Sequence, residues 1–379
     1  MQCWLREMRV LMADMMSWVP YYCRCLLDGL RQAGLTTIEY ATESYRYDNR
    51  GSSACPVWFR DPRDGISRLP KAIRNARRVG YYIRNLNSMV RHARQYDLIH
   101  VQWLPLVHTG GWERAFMARA ANRTKVLYTV HNYLPHDTGT RYWQAYRDLY
   151  SVFHGLFVHC AHLRDQLVGE MGLQTPIHPI KHGQFGTMRV PSTAVDKPWA
   201  PLFLLQGAIK AYKGVDTLLD AWTEVERTHP SARLRIVGPV KPRMHAHIRN
   251  VMAERRYSRL EYCSRFLSDL ELEQEYQQAD VLLYPYLSSS SSGALMMGLQ
   301  YCKPMILSDI PVFRETLQDG QNCLMFPCGD AEARASVMVE AAQNRPRCQQ
   351  MADTLYRTDF GAYTWESVGR ATLQVYSSV

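Results

Sequence analysis

What the 379-residue chain lacks narrows it first. No run approaches the roughly 20 apolar residues that a bilayer-spanning helix needs. The N-terminus sets Arg6, Glu7 and Arg9 among short apolar pieces. That is a poor match to a signal peptide, so a cytoplasmic protein is expected. Ten cysteines are scattered, the closest pair being Cys23 and Cys25, and no CxxC spacing offers zinc ligands. Reduced, mostly buried thiols are expected. No zinc-finger or RNP signature accompanies the charge, which speaks against nucleic acid as a partner. No DxD-like acidic cluster falls in a loop that could hold a metal, and no short-period repeat is present.

Acid is missing from one stretch in particular. Ile66 to Tyr96 carries eight basic residues, including Arg74, Arg77, Arg78 and Arg84, and no Asp or Glu. Apolar residues recur there at three- to four-residue spacing (Ile73, Ala76, Val79, Ile83, Leu86 and Val90), which predicts an amphipathic helix. A solvated helix face and an anionic membrane surface both fit such a segment. The charge is lopsided overall. Residues 1–200 hold 26 Lys and Arg against 15 Asp and Glu, whereas the remainder holds 19 against 20. A length comfortable for two domains, one basic and one neutral, implies two domains with different partners.

What is present is a repeated alternation of strand and helix. "MRVLMA", "TTIEYA", "YDLIHVQW", "RTKVLYTVHN", "HGLFVHC" and "IHPIKHG" read as strands of a first parallel sheet with helical patterns between them. A Gly-, Pro-, Ser- and Thr-rich stretch comes next. The alternation then restarts with "PLFLLQG", "ARLRIVGP", "LEYCSRFLS", "DVLLYPYL" and "PMILSDI". The expected fold is α/β, two doubly wound Rossmann-like domains facing across a cleft. The expected divisions are a domain at 1–185, a linker at 186–200, a second domain at 201–361, and a C-terminal helix at 362–379 that packs back on the first domain.

Ligands of open parallel sheets bind beyond the carboxyl ends of the strands. Three loops qualify. "GAIKAYKG" begins at Gly207 and places Lys210 and Lys213 beside a helix N-terminus, an arrangement that suits a diphosphate; two surface lysines are the plainer reading. "YLSSSSSGALMMGL" has the composition of a spacer but joins a buried strand to an apolar helix. Ser291, Ser292, Gly293 and Ala294 fall where that helix starts. "YTVHNYLPHD" ends a strand of the first domain with His131 and Asn132, close to His136 and Asp137. His131 is placed to hydrogen-bond a sugar hydroxyl or move a proton.

These loops together resemble the retaining glycosyltransferases of family four, which have the GT-B fold. "GAIKAYKG" is similar to that family's basic loop, with Lys213 at its usual Lys. "RLRIVG", "CSRFLSDLELEQEYQQADVLLYPY" and "GALMMGLQYCKPMILSDIPVFRE", ending at Glu315, resemble the family's later segments in the same order. "DLIHVQW", "TVHNYLPH" and "PIKHG" fit in the first half. The resemblance implies a donor nucleotide-diphosphate sugar whose diphosphate and sugar are held by Lys210, Lys213, Ser291, Ser292, Gly293 and Ala294, with Gly207 on the nucleoside side. Arg265, Phe266, Leu267 and Met297 would lie on the nucleoside side, and Asn132 and Glu315 in the cleft. It also implies His131 as the catalytic-side residue, no metal and no cofactor beyond the donor. The sequence departs from the family where a pair of glutamates is usual, because Ser289 and Met297 stand there. "MMSWVPYY" replaces the family's N-terminal Gly-Gly loop. The expected partners are a nucleotide sugar, a saccharide or lipid-linked oligosaccharide acceptor in polysaccharide biosynthesis, and an anionic membrane surface. The expected location is the cytoplasm, peripheral on the inner face of the cell membrane. A sugar-nucleotide epimerase and a non-catalytic nucleotide-sugar-binding relative are the rival readings.

Overall fold

A computed structural model describes residues 8–44, 53–63, 70–135, 138–191 and 198–379. The chain divides into two units, Met1–Gly183 with Phe360–Val379, and Gln184–Asp359. The divide therefore falls just after Gly183.

In the first unit the order is β1 (Val10–Ala13), α1 (Pro20–Gln32), β2 (Ile38–Ala41), α2 (Lys71–His92), β3 (Leu98–Val101), α3 (Trp112–Ala121), β4 (Lys125–Thr129), α4 (Trp143–Tyr150), β5 (Gly155–Val158), α5 (Ala161–Gly169) and β6 (Ile177–Pro179). The sheet runs β2-β1-β3-β4-β5-β6, every pair parallel. β1, β3 and β5 are buried at every residue, as strands covered on both faces must be. The second unit holds β7 (Leu202–Gln206), α6 (Val215–Thr228), β8 (Arg233–Val237), α7 (Pro242–Arg255), β9 (Leu260–Cys263), α8 (Asp269–Gln278), β10 (Val281–Tyr284), α9 (Gly293–Leu299), β11 (Met305–Ser308), α10 (Pro311–Arg314), β12 (Leu324–Phe326), α11 (Ala331–Gln343) and α12 (Arg345–Arg357). Its sheet runs β12-β11-β10-β7-β8-β9, again parallel throughout.

The last helix, α13 (Trp365–Ser378), returns to the first unit and packs on α1. Glycine makes this crossing possible. A Cβ on Gly29 would stand 2.0 Å from the Trp365 carbonyl oxygen, and one on Gly369 would stand 2.2 Å from the Gly29 carbonyl carbon. Val368, Leu373 and Tyr376 of α13 join Leu26, Leu27 and Leu30 of α1 in the core.

Two expectations change in detail. Of the 186–200 linker, residues 186–191 belong to the second unit and 192–197 lie outside the described residues. Arg189 donates its N–H to the Gln300 carbonyl (2.7 Å) and pairs with Glu273 (2.8 Å). The basic helix is real, but its first half does not pack as its spacing suggests. The buried residues of α2 are Tyr82, Asn85, Leu86, Met89 and Val90, whereas Ile73, Val79 and Ile83 are exposed. The apolar residues toward its N-terminus extend past the core that covers the second half.

Candidate functional site

In the second unit, β7 leads to β8 and β9 on one side, while β10 leads to β11 and β12 on the other. The loops after β7 and β10 therefore adjoin at the point where the strand order reverses, the place where doubly wound sheets bind ligands. These are two of the three loops singled out in the sequence.

Glycine lets them close up. Gly207 and Gly238 end β7 and β8 with φ of +106° and +143°. A Cβ on Gly238 would lie 2.1 Å from the Gly207 carbonyl oxygen. Gly214 (φ +67°) starts α6 so near the second loop that a Cβ would sit 2.0 Å from the Pro285 oxygen. The Leu287 N–H donates to the Tyr212 carbonyl (2.7 Å), tying one loop to the other.

Lys213 is turned inward, only 4% exposed. Its ammonium donates to the Gln206 carbonyl (3.1 Å) and lies 5.1 Å from the centre of the Tyr286 ring. It forms no ion pair among the described residues, and burial pushes its pKa down. The point where a Gly207 Cβ would be is 2.6 Å from this ammonium and 3.9 Å from the Ala294 Cβ. Gly207, Lys213 and the first turn of α9 thus converge. Ser292 caps that turn by accepting the Leu295 N–H (3.1 Å). The Ala294 carbonyl accepts from Tyr276 (3.1 Å) and Tyr284 (3.2 Å), and the Tyr276 oxygen accepts from the Gln206 amide (2.6 Å), so the turn is braced from below. The Tyr286 hydroxyl is buried without a hydrogen bond; Ser292 is its polar neighbour but does not meet it in bonding geometry. A buried cation and a buried hydroxyl, both with unused donors, suit an anion better than a neutral ligand.

The other donor-side residues are dispersed. Lys210 is exposed, before the short turn that positions Lys213. Ser291 lies in the loop, where its carbonyl accepts from the Ser289 hydroxyl (2.6 Å), and the Met297 sulfur accepts from Gln300 (3.1 Å). Gly293 opens α9, with Phe185 at 3.8 Å from where its Cβ would be. Arg265, Phe266 and Leu267 come after β9 at the sheet edge, two strands from β7, and the Arg265 guanidinium is held by Glu271 (2.6 Å). Glu315 ends α10, beyond β11.

In the first unit, His131 comes just after β4 and is 6% exposed. The Tyr22 ring packs against it (4.8 Å), and its Nε2 faces Gln102 Oε1 at 3.4 Å. Two histidines outside the three loops join it. His159 lies past β5, His182 past β6, and both pack on Tyr22 and on each other. Burial pushes the His159 pKa down to about 3 and that of His182 to about 4. His131 falls well below its usual value, first from burial and then from these neighbours, so the three are uncharged at neutral pH. The signal for them is in the sequence: "TVH", "FVH" and "IKH" each place a histidine just past a strand. Among the described residues no cluster of His, Cys, Asp and Glu could hold a metal ion. Asn132 is half-buried and offers its carbonyl to the Tyr150 hydroxyl (3.2 Å); His136 and Asp137 lie outside the described residues.

On α2, Arg74 and Arg77 are half-exposed and Arg84 is exposed. Arg78 is a correction to the expected basic surface. Its guanidinium is bound to Glu43, a fully buried carboxylate that Arg63 also approaches at 3.2 Å, so it anchors the helix.

Residues 200–344 match the glycosyl transferases group 1 family, and the matched segment carries both loops of the site. The chain is 25% identical over 236 residues to the GDP-mannose:glycolipid 4-beta-D-mannosyltransferase of Xanthomonas campestris pv. campestris, a match covering 56% of this chain and 61% of the relative. The chain thus spans about 61% of the length of the curated relatives it matches. Among solved structures, the Anabaena protein HepE in complex with UDP and glucose superposes with a TM-score of 0.71 at 13% identity, covering 98% of this chain and 100% of that one. Sucrose-phosphate synthase from Thermosynechococcus elongatus gives 0.72 at 15% identity and 98% of both chains. The fold is GT-B, two Rossmann-like domains with sheets of six parallel strands.

Proposed function

We propose that the protein is a glycosyltransferase that moves a sugar from a nucleotide-diphosphate sugar to a glycan or lipid-linked saccharide. The observation that carries this reading is the buried, acid-free Lys213 ammonium over Gly207, at the point where the strand order of the second sheet reverses. In the transfer, the bond from the anomeric carbon to the diphosphate oxygen breaks, and the diphosphate leaves with the electron pair. The acceptor oxygen bonds to the same carbon, and its proton passes to the departing diphosphate oxygen. Lys213, Lys210 and the N–H groups opening α9 stabilise the charge that develops on the diphosphate, the kind of interaction that often lowers a barrier most. The family match over the same residues supports the reading. Thermal stabilisation by a panel of UDP- and GDP-linked sugars tests it, because a ligand that binds only the native state raises stability. No shift with any of them would sink it. Turnover of the nucleotide sugar alone, with no acceptor, would favour an epimerase.

The resemblance to family four implies retention at the anomeric carbon, whereas the Xanthomonas relative is named for a β-mannosyl product. Anomeric coupling constants of donor and product decide between the two outcomes: a β product from an α-linked donor would be inversion. The acceptor is assigned to the basic first unit. The exposed Ile73, Val79 and Ile83, interleaved with Arg74, Arg77 and Arg84, form an apolar and basic face on α2 suited to an anionic bilayer. No helix among the described residues is long and apolar enough to cross a membrane, so contact on this face would be peripheral. Flotation with anionic and neutral vesicles tests it; equal, negligible binding to both would end that part of the reading.

A further inference from the structure

The strand order of the first sheet also reverses once, between β1 and β3. The loops after those strands meet there, and the histidine cluster described above stands to one side of them. The β1 loop is built around Asp14. Its fully buried carboxylate accepts the N–H groups of Trp18 and Val19, both at 2.9 Å, while Ser17 takes a left-handed conformation with φ of 52°. That tight turn pushes Trp18 outward, and it is 54% exposed. The β3 loop carries Trp103 and is fixed by Glu113, which accepts from the Leu106 N–H (3.1 Å) and from the Tyr82 hydroxyl. The two indoles lie nearly parallel, 13° apart with centroids 5.8 Å from each other, and Trp103 is 5.9 Å from the His131 ring. Gln102, which precedes Trp103 in the chain, is fully buried. Its Oε1 faces His131, and its Nε2 has no hydrogen-bond partner.

A large aromatic held in solvent by a buried carboxylate is an unusual use of both groups. Burial costs the carboxylate, and exposure forgoes the apolar surface of the indole. An indole surface with polar groups beside it, at a strand-order reversal, is the composition of a ligand site: an apolar wall with a few fixed polar atoms. Among polar metabolites, a pyranose has a matching shape. Its axial C–H groups form an apolar face, and its rim of hydroxyls needs donors and acceptors. We propose that Trp18, backed by the stacked Trp103, presents an indole platform for a pyranose ring of the acceptor saccharide, with the Gln102 amide and the His131 imidazole as the hydrogen-bonding groups nearby. The saccharide chemistry comes from the platform itself; that the sugar is an acceptor rests on the transferase reading.

Saturation-transfer NMR on the full chain tests the platform, with methyl β-D-glucopyranoside and octyl β-D-glucopyranoside as probes. In the wild type, transfer should be strongest at the axial protons H1, H3 and H5 of the ring. Trp18→Ala should reduce it at least fivefold, and Trp18→Phe should keep most of it. Because Trp18 is exposed, the alanine variant should fold, and its thermal shift with nucleotide sugars should equal that of the wild type. Transfer to neither glucoside, transfer confined to the octyl chain, or transfer unchanged in Trp18→Ala would each overturn the platform. The two readings fail separately. A Trp18-dependent signal without any nucleotide-sugar shift would remove the transferase and leave a saccharide site. A nucleotide-sugar shift without a Trp18-dependent signal would do the reverse.

Discussion

Replacing Lys213 by Met should weaken nucleotide-sugar binding while leaving the free protein as stable as before, or more so. The apolar stem is kept and only the ammonium is lost. That ammonium is buried, donates to one carbonyl and has no carboxylate partner among the described residues. In the free protein it is a desolvated charge, so its removal relieves a cost and forfeits one hydrogen bond of about 1 kcal/mol and a cation–π contact with Tyr286. Against a diphosphate, the two remaining N–H groups make charge-assisted bonds. One such bond contributes about 1.5–3 kcal/mol, which is roughly a 10- to 150-fold loss of affinity on deletion. The pH dependence comes from the lowered pKa. In the window between the folded-state pKa and the ordinary lysine value near 10.5, the unfolded chain binds more protons than the folded one. Wild-type stability therefore rises with pH across that window, and the Lys213→Met variant lacks that rise. Titration calorimetry with UDP- and GDP-linked sugars, and urea unfolding from pH 7 to 10.5, give both numbers. Affinity within twofold of wild type, together with a clear loss of stability, would mean that Lys213 serves the loop and not a ligand.

Asp14 should oppose the gain in stability that the buried His159 and His182 bring as pH rises from about 4 to about 6, because burial lifts its pKa from 3.8 to about 6. Asp14→Asn should remove that opposition, so the variant gains up to about 3 kcal/mol more stability than the wild type between pH 4 and pH 6.5; an equal change in urea midpoint for both proteins across that range would refute it. Arg78→Ala should cost about 1–3 kcal/mol of stability, because buried Glu43 loses one of its two guanidinium partners and keeps Arg63. Arg74→Ala and Arg84→Ala should change thermal unfolding little and instead lower anionic-vesicle binding by about 1 kcal/mol each. Arg334, on α11, is 1% exposed, stacks on Phe326 and makes no side-chain hydrogen bond, and its pKa is pushed down to about 10 by burial. Arg334→Met should raise the unfolding free energy by about 1–3 kcal/mol, net of a cation–π contribution; destabilisation would show that the guanidinium has a partner the geometry does not reveal.

The fold was legible because buried parallel strands write themselves as short apolar runs. "LFLLQ" and "VLLY" have no other comfortable reading between turn residues. The second-unit loops were legible for the same reason, since a basic or serine-rich segment directly after such a run must stand at a strand's carboxyl end. Lys213 was located, but not its burial, which depends on Gly207 and Tyr286 closing over it. The exposure of Ile73, Val79 and Ile83 on α2 was not legible, because helical spacing defines a stripe without saying how far the neighbouring core extends. The loops after β1 and β3 were passed over because "MMSWVPYY" lacks the glycines of the resembling family. What organises that loop is a carboxylate, Asp14, capping its own turn, and it shows only in three dimensions.

The return of α13 to α1 sets an order of events during synthesis. Residues 184–359 are contiguous, so the second unit can fold as soon as it has left the ribosome. The first unit is complete in sequence except for its last segment, and that segment carries Val368, Leu373 and Tyr376 of its core. A nascent first unit must therefore wait, with the groove along α1 uncovered, while the whole second unit is made. The close glycine crossing at Gly29 and Gly369 is then the closing step of folding, and a chain truncated shortly after Asp359 would keep the second unit while leaving the first open.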